Sequence, residues 1–406
     1  MRQHPLRSPN RLAAPYPARS DPQRRARLLA AERGNLKAVI LAGGKGTRLL
    51  PLTAATPKPL IPLVNRPLLD HILHLLRTHG ITDIVLAMAY LADNFRAVYG
   101  DGSDLGVKLT YASEPEPQGT GGAIKNVEPY LDPGDTFLVL SGDVITGIDL
   151  TAMLRFHKQS GSICTIAVAE VEDPTSYGAV DLEPNGRILR FTEKPRPGET
   201  RSTSVSTGTY IMEPAILAHI PAGEYHMVER GLFPTLLVLS DPLYAYRTPA
   251  YWIDIGTPAK YLQAHAGLLN GALPDGLTPQ GELVASGIWA GEGTFIDSSV
   301  TITPPLVVGR HCSIEARAHI VGPTVLGDDC RVANDAHLQR LVAWQGAALG
   351  PSCDCSDSIL ATNARLGPNT TLEPTTAIGP NATIGANNRL PPNTTIAPDT
   401  FLPDKC

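Results

Sequence analysis

Residues 36–60 read LKAVILAGGKGTRLLPLTAATPKPL, an apolar run followed by a glycine-rich turn. The segment AVIL is continuously apolar, which is typical of a strand that a parallel sheet buries on both faces. Gly43, Gly44 and Gly46 follow it, and a backbone without Cβ atoms can approach a phosphate group closely. This stretch therefore predicts a buried strand that ends in an anion-binding loop.

Two common phosphate-binding motifs do not fit this loop. A Walker A loop would need a glycine at Val39 and a serine or threonine at Gly46. A dinucleotide-binding fingerprint that starts at Gly44 would need its third glycine at Leu49. Taken alone, the loop leaves a phosphate site and a structural turn both open.

The sequence after the loop alternates apolar strands with helical patterns. DIVLAMA, TFLVLSGD and ICTIAVAEV are strand-like, whereas RPLLDHILHLLRTHG has helical periodicity. This alternation predicts a mostly parallel α/β sheet over residues 36–270. The Pro- and Gly-rich stretch GALPDGLTPQGE marks a linker, which we place at residues 271–285. Residues 1–35 are rich in Arg, Pro and Ala, and we expect them to form a disordered N-terminal extension.

Residues 286–406 carry a six-residue periodicity. In LGPNTTLEPTTAIGPNATIGANNRL an apolar residue recurs at every sixth position among Gly, Pro, Asn and Thr. This hexapeptide repeat predicts a parallel β-helix whose apolar positions point inward, and it resembles the left-handed form. The registers over Ile296–Leu338 and Leu360–Ile396 are out of phase by four residues. We interpret the segment between them, around Trp344–Asp357, as an insertion or loop.

Composition excludes several classes of protein. A net charge of −5 and a pI near 6.1 give no basic field for nucleic acid. The six cysteines are scattered and are interpreted as reduced thiols, with Cys353-Asp354-Cys355 in a surface loop rather than at a metal. No apolar run reaches the roughly 18 residues that span a bilayer. We therefore expect a cytoplasmic protein without a membrane or nucleic-acid partner.

LAGGKGTRLLPLT…PKPL resembles the signature of the sugar-1-phosphate nucleotidyltransferases, and further motifs of that family follow in order. They are QGTGGAIKN (118–126), SGD (141–143), YGAV (177–180), TEKP (192–195), STGTY (206–210) and WIDIGTP (252–258). The resemblance implies a Rossmann-like mixed, mostly parallel sheet, to which a left-handed β-helix is a common companion. It also implies the reaction, in which a sugar 1-phosphate oxygen attacks the α-phosphorus of an NTP in line and pyrophosphate leaves.

The same resemblance implies roles for individual residues. The expected catalytic residues are Arg48, Lys58 and Asp143. The expected nucleotide-binding residues are Leu41, Ala42, Gly43, Gly44, Gly46, Thr47, Gln118 and Gly119. The expected sugar-phosphate-binding residues are Gly178, Glu193, Lys194, Thr207 and Gly208. Asp143 and Asp254 are expected to bind Mg²⁺, because two hard oxygen donors together with substrate phosphates suit this ion.

The substrates are less closely defined by the resemblance. The run from RPLLDHILHLL to RFTEKP most resembles mannose-1-phosphate guanylyltransferases, which implies GTP, mannose 1-phosphate and GDP-mannose. Ser206-Thr207-Gly208 departs from the N-A-G of many such enzymes. A glucose-1-phosphate thymidylyl- or uridylyltransferase and a heptose-1-phosphate guanylyltransferase therefore remain alternatives.

The sequence also leaves open a second catalytic activity and a non-catalytic role, and it predicts self-assembly. His311, His319 and His337 lie on the predicted β-helix and leave an additional acyltransferase activity open, although no motif ties them to an acyl donor. A non-catalytic regulatory subunit would be expected to lack some of the charged site residues, but all are present. We expect the β-helix, residues 281–406, to join the protein into a homo-oligomer, while residues 36–270 hold the complete active site.

Overall fold

The computed structural model describes residues 36–44, 46–88, 92–114, 116–273 and 275–405. The predicted N-terminal extension, Lys45 and Cys406 lie outside these residues. An α/β domain is followed by a C-terminal parallel β-helix, so the predicted fold class is confirmed. No helix in the described ranges combines the length and the apolar character that crossing a membrane requires.

The first domain is built on a nine-stranded sheet with further short strands beside it. The strands of this domain are β1 (Lys37–Leu41), β2 (Pro62–Leu63), β3 (Arg66–Pro67), β4 (Asp83–Met88), β5 (Lys108–Ser113), β6 (Phe137–Ser141), β7 (Val144–Thr146), β8 (Cys164–Glu170), β9 (Gly178–Leu182), β10 (Ile188–Glu193), β11 (Ser204–Met212), β12 (Leu243–Arg247) and β13 (Trp252–Asp254). Strands β2 and β3, and likewise β7 and β13, form separate two-stranded sheets. The main order is β10-β9-β11-β6-β1-β4-β5, and β8 joins β11 to β12. Strands β6, β1, β4 and β5 run parallel, whereas β11 is antiparallel to β6.

Helices pack against both faces of this sheet. The α-helices in the described residues are α1 (Leu68–Thr78), α2 (Ala92–Tyr99), α3 (Gly119–Asn126), α4 (Leu150–Ser160), α5 (Phe233–Val238) and α6 (Pro258–Leu269). In β1, Ala38 and Ile40 belong to one hydrophobic core and Val39 to the other. Successive side chains of a strand point to opposite faces, so the continuous apolar run is explained by burial on both.

The β-helix begins at Glu282 and continues to Leu402. Its strands are β14 (Glu282–Ala285), β15 (Ile288–Ala290), β16 (Phe295–Ile296), β17 (Thr301–Thr303), β18 (Leu306–Val308), β19 (Ser313–Ile314), β20 (His319–Val321), β21 (Thr324–Leu326), β22 (Arg331–Val332), β23 (His337–Gln339), β24 (Val342–Ala343), β25 (Ala348–Leu349), β26 (Asp354–Ser356), β27 (Ile359–Leu360), β28 (Arg365–Leu366), β29 (Thr371–Leu372), β30 (Ala377–Ile378), β31 (Thr383–Ile384), β32 (Arg389–Leu390), β33 (Thr395–Ile396) and β34 (Phe401–Leu402). They form three stacked sheets, and all their pairings are parallel except that of β14 with β15. The stacked parallel strands are those of a left-handed β-helix.

The prediction of an insertion around Trp344–Asp357 is wrong. Strands β24, β25 and β26 continue the three sheets without interruption. Ala343, Leu349 and Cys355 occupy the inward positions and are buried in the core of the β-helix. Alanine and cysteine are small and were not recognised as members of an apolar repeat of Leu, Ile and Val.

The change of phase has a different origin, because two turns are each one residue shorter. The spacing of inward residues falls from six to five between Leu338 and Ala343, and again between Cys355 and Leu360. Two shortened turns shift the register by two positions backward, which equals four positions forward in a repeat of six. The coils therefore continue through a change that looks like an insertion in the sequence.

The Cys353-Asp354-Cys355 motif is also placed differently from its prediction. Both thiols are buried inside the β-helix rather than in a surface loop, and Cys353 Sγ lies 3.2 Å from the carbonyl oxygen of Gly367. Burial raises the pKa of both thiols. These cysteines therefore serve as small apolar core residues.

Candidate active site

Two loops that carry expected site residues leave the same edge of the sheet. β1 and β6 are parallel neighbours, and Leu41 at the end of β1 pairs with Ser141 at the end of β6. The backbone N–H of Gly142 donates to the carbonyl oxygen of Leu41 at 2.9 Å. The glycine loop and the loop that bears Asp143 therefore open together at the carboxyl ends of the strands, where open α/β sheets bind ligands.

A second strand pair brings Asp254 beside Asp143. β13 pairs antiparallel with β7, and Asp254 is opposite Val144. The N–H of Ile255 donates to the carbonyl oxygen of Asp143 at 3.0 Å. Lys58 completes the group, because its Nζ lies 2.5 Å from Asp143 Oδ2 and 3.9 Å from Asp254 Oδ1.

The electrostatics of this group fit a divalent cation. Burial is the main cause that raises the pKa of Asp254, and repulsion from Asp143 adds to it, while Lys58 acts in the opposite direction. A second positive charge near the two carboxylates would relieve that repulsion. Among the described residues no group of three or more His, Cys, Asp or Glu side chains could hold a metal. The protein would thus supply two carboxylates and leave the other positions to phosphates and water, as Mg²⁺ sites commonly do.

Arg48 is a further cation near Asp254, and its charge acts to lower the pKa of that carboxyl group. It belongs to the short 3₁₀ turn Thr47–Leu49 and is exposed. Its guanidinium group covers Gly256, since a Cβ atom added there would lie 3.1 Å from both Nη1 and Nη2. The glycine of WIDIG therefore provides the space in which this arginine packs, and the cation is held at the site rather than free in solvent.

A cavity of about 420 Å³ adjoins the group. Five of the eight expected nucleotide-binding residues line it, together with two of the expected catalytic residues. They are Leu41, Ala42, Gly43, Gly44, Gly119, Lys58 and Asp143. Gly46 and Thr47 follow in the loop, where the carbonyl oxygen of Gly46 accepts from Thr53 Oγ1 at 2.8 Å. Gln118 precedes α3, and its carbonyl oxygen accepts from the N–H of His226 at 2.8 Å.

The glycines of QGTGG serve packing as well as ligand access. The N–H groups of Gly121 and Gly122 donate to the carbonyl oxygen of His226 at 2.8 and 3.1 Å. A Cβ atom would lie 2.6 Å from that oxygen at Gly119 and 2.5 Å from His226 Nδ1 at Gly121. Tyr225, the residue before His226, lines the cavity. A segment more than 100 positions away thus forms one wall of the site, and local sequence patterns did not reveal it.

Glu114 is a further cavity residue that the sequence analysis missed. It follows β5 directly and is 5% exposed, and burial raises its pKa. Its Oε2 accepts from the N–H of Gln118 at 3.1 Å, whereas Oε1 has no hydrogen-bond partner among the described residues. Its position was the feature that could have identified it, because it follows the carboxyl end of β5, a strand that runs parallel to β4 and β1.

The expected sugar-phosphate residues lie along β9, β10 and β11. Gly178 pairs with Glu193, and a Cβ atom at Gly178 would lie 3.2 Å from Glu193 Oε2. Lys194 follows, with its Nζ 3.3 Å from Glu193 Oε1. Gly208 has a φ of 75° and would bring a Cβ atom to 2.5 Å from Ser141 Oγ.

Thr207 differs from its neighbours in orientation. Its side chain is buried and its Oγ1 donates to the carbonyl oxygen of Ala167 at 3.1 Å. Its own carbonyl oxygen accepts from Trp252 Nε1 at 3.0 Å. The hydroxyl group of Thr207 is therefore engaged within the sheet. The hydrogen bond from Trp252 to the carbonyl oxygen of Thr207 links β11 to the strand that bears Asp254.

Two more charged side chains adjoin this side of the site. Lys260, in the first turn of α6, contacts the hydroxyl group of Tyr177 and lies 4.6 Å from the centre of its ring. Glu229 accepts from Thr120 Oγ1 at 2.7 Å, and burial, with a contribution from nearby Glu193, raises its pKa. Both were missed because neither lies in a motif that the sequence analysis recognised.

Comparison with known proteins identifies the family of the chain. The sequence profile of the nucleotidyl transferase family matches residues 37–271. The chain is 34% identical to a UTP–glucose-1-phosphate uridylyltransferase of Synechocystis sp. (strain ATCC 27184 / PCC 6803 / Kazusa), over 80% of this chain and 87% of the relative. It is 36% identical to a mannose-1-phosphate guanylyltransferase of Mycobacterium tuberculosis (strain ATCC 25618 / H37Rv), over 66% of this chain and 76% of the relative.

A similar solved structure is that of HddC from Yersinia pseudotuberculosis complexed with GMP-PN, with a TM-score of 0.50 and 31% identity. The match covers 57% of this chain and 99% of that one. The matched profile, the relatives and the ordered motifs agree on a single assignment. The chain belongs to the nucleotidyl transferase family, as a sugar-1-phosphate nucleotidyltransferase.

Proposed function

We propose that this enzyme transfers a guanylyl group from GTP to mannose 1-phosphate, giving GDP-mannose and pyrophosphate with Mg²⁺ as its cofactor. The observation that carries the choice of GTP is the carboxylate of Glu114 in the wall of the cavity. Its Oε1 is buried and has no hydrogen-bond partner among the described residues, so a donor on the base would satisfy it.

The Watson–Crick edges of the five common bases differ in what they offer to such a carboxylate. Guanine presents two adjacent donors, the ring N1–H and the exocyclic N2–H₂. Uracil and thymine present one N–H between two carbonyl oxygens, which would repel a carboxylate. Adenine and cytosine present one amino donor beside a ring nitrogen that is itself an acceptor. A carboxylate only accepts hydrogen bonds, so it is most complementary to guanine, whose two donors lie side by side.

The relatives support guanine in part and also support an alternative. The Mycobacterium tuberculosis relative is named as a guanylyltransferase, and the Yersinia structure is complexed with GMP-PN. The Synechocystis relative is named as a UTP–glucose-1-phosphate uridylyltransferase and matches along more of the chain. Uridylyl transfer to glucose 1-phosphate is therefore the second candidate, and heptose 1-phosphate remains an alternative acceptor for GTP.

The reaction brings two anions together, and the cations of the site lower the resulting repulsion. Arg48 and Lys58 would stabilise the charge that develops on the oxygens of the α-phosphoryl group. Lys194 would neutralise the phosphate of the sugar, and Glu193 would accept hydrogen bonds from its hydroxyl groups. Mg²⁺ held by Asp143 and Asp254 would neutralise the triphosphate and favour departure of pyrophosphate.

A substrate panel tests the proposal. Pyrophosphate release is measured with GTP, UTP and dTTP against mannose, glucose and heptose 1-phosphates. GTP with mannose 1-phosphate should have the highest kcat/KM, and a higher value for UTP with glucose 1-phosphate would overturn the proposal in favour of the second candidate.

The Glu114→Gln variant tests the role of the carboxylate. We expect kcat/KM for GTP to fall about 10- to 100-fold, since a hydrogen bond to a charged group contributes about 1.5–3 kcal/mol. The control is Glu116→Gln. Glu116 is exposed and lies two residues further along, so this substitution should leave kcat/KM unchanged. Equal losses for GTP and UTP in Glu114→Gln would show that the carboxylate does not select the base.

A further inference from the structure

One side of the β-helix is apolar on its outside. In the sheet that contains β15, β18, β21, β24, β27 and β30, the outward residues that pair along successive coils are Trp289, Val307, Val325, Val342, Ile359 and Ala377. Val342, Ile359 and Ala377 belong to the same hydrophobic core as β1 and α1 of the first domain. This side is therefore the docking face of the β-helix on the α/β domain.

The docking face contacts the hairpin formed by β2 and β3. Its two turn residues, Val64 and Asn65, have φ values of 52° and 59°. Positive φ is unfavourable for a β-branched residue, so the contacts around Val64 must hold this conformation. Val64 packs with Val307 and Val325, and Asn65 Nδ2 donates to the carbonyl oxygen of Leu326 at 2.7 Å.

A buried hydroxyl group makes a second connection. Tyr261 lies in α6 and is fully buried. Its hydroxyl group donates to the carbonyl oxygen of Pro62 and accepts from Trp344 Nε1 at 2.9 Å. One atom thus joins α6, the β2–β3 hairpin and the β-helix.

The hairpin is continuous with the turn that bears Lys58. Only Ile61 separates the short 3₁₀ turn Lys58–Leu60 from β2, and its N–H donates to the carbonyl oxygen of Lys58 at 3.3 Å. Ile61 and Leu63 are fully buried, so a displacement of the hairpin cannot be absorbed between Lys58 and Pro62. The position of Lys58 Nζ relative to Asp143 therefore depends on where the hairpin is held.

We propose that the β-helix positions Lys58 for nucleotidyl transfer, with Tyr261 and Trp344 as the positioning residues. This inference rests on the catalytic role proposed for Lys58. It makes the β-helix a structural part of the active site, although all the side chains expected to contact the substrates come from the first domain.

Single substitutions in the full chain test the inference. Trp344→Phe removes the N–H donor, and Tyr261→Phe removes the hydroxyl group. We expect each to lower kcat about tenfold, because small misplacements of a catalytic group reduce turnover strongly, while KM changes less than about threefold. Asn65→Ala provides a third variant with a small loss of volume. Tyr251→Phe is the matched control, since the buried hydroxyl group of Tyr251 has no partner among the described residues.

A double-mutant cycle separates positioning from a general loss of structure. In the Lys58→Ala background, Trp344→Phe and Tyr261→Phe should change kcat little, because the group that they position is absent. A full tenfold loss in both backgrounds, or wild-type kcat in all three variants, would overturn the inference. Wild-type turnover in Lys58→Ala itself would instead refute the catalytic role of Lys58, which is a failure of the proposed function. Thermal unfolding of each variant confirms that the assay temperature lies below its transition.

Discussion

Lys58 Nζ lies 2.5 Å from Asp143 Oδ2, although the two residues are 85 positions apart in the chain. The contact forms because the segments after β1 and after β6 meet at one edge of the sheet. It places a buried cation beside a candidate metal ligand, at the point where two phosphate-bearing substrates would bring negative charge. Changes at this point should therefore affect turnover more than folding.

The two carboxylates are expected to be essential for the use of Mg²⁺. Asp143→Asn and Asp254→Asn each remove an anionic ligand, and activity in both variants should be abolished over a full Mg²⁺ titration. The measurement is pyrophosphate release against Mg²⁺ concentration. Normal saturation at a rate near that of the wild type would mean that the metal binds elsewhere.

Arg48 is expected to stabilise the transition state without supporting the fold. Arg48→Ala should lower kcat about 10²–10³-fold, as loss of one preorganised charge contact does, and leave the unfolding temperature unchanged. Steady-state kinetics and thermal unfolding on the same sample check both parts. A variant that retains more than about a third of the wild-type rate would contradict this role.

Gly44 should be required by the ligand rather than by the fold. A Cβ atom at Gly44 would meet no described atom within 4 Å, and its backbone does not have positive φ. Gly44→Ala should therefore keep wild-type stability but raise KM for the nucleotide about tenfold, because the methyl group would occupy space needed by a phosphate.

Gly46 is the matched comparison in the same loop. It has a φ of 62°, and its Cβ atom would lie 3.1 Å from Thr53 Cγ2. Gly46→Ala should thus lose about 1–2 kcal/mol of stability. A wild-type KM for the nucleotide in Gly44→Ala would refute the close approach of a phosphate to Gly44.

Acid should destabilise the protein through buried histidine. Burial, with a contribution from His71, lowers the pKa of His265 to about 3, and its Nδ1 accepts from the N–H of Val64 at 3.4 Å. Below the ordinary value of 6.5 the unfolded chain binds a proton that the folded chain does not, so stability falls as the pH drops from about 6.5 towards 3.

The change is measured by urea unfolding at pH 7 and pH 5. His265 should account for about 2 kcal/mol of the loss between these values. His265→Gln keeps an acceptor for Val64 but does not titrate, and its loss should be smaller by that amount. An identical loss in the wild type and in His265→Gln would show that this histidine is not responsible.

The β-helix is expected to join the protein into a homo-oligomer, most simply a dimer or trimer. Leu283 and Phe295 are large apolar residues that its first coils expose. Replacing both by serine in the full chain should lower the molar mass measured by light scattering. Val238→Ser is the control, because Val238 is exposed on α5 of the first domain. A monomeric wild-type protein would refute the assembly.

The sequence by itself was sufficient for the family, the two architectures and the main charged candidates of the site. Each depends on a local pattern, namely the apolar run before Gly43, the ordered motifs and the six-residue repeat. Parallel strands end at one edge of a sheet, so the proximity of Asp143 to the glycine loop followed from topology alone.

Only the tertiary structure decided features that depend on residues distant in the chain. Glu114 lines the cavity because β5 lies in the same sheet as β1. Tyr225 lines it because the segment that contains Tyr225 packs on the glycines of α3. The contact between Tyr261 and Trp344 joins two domains whose sequence patterns are independent of each other. Periodicity reports which face of an element is buried, but it does not report which element covers that face, since packing depends on shapes that meet only in the folded chain.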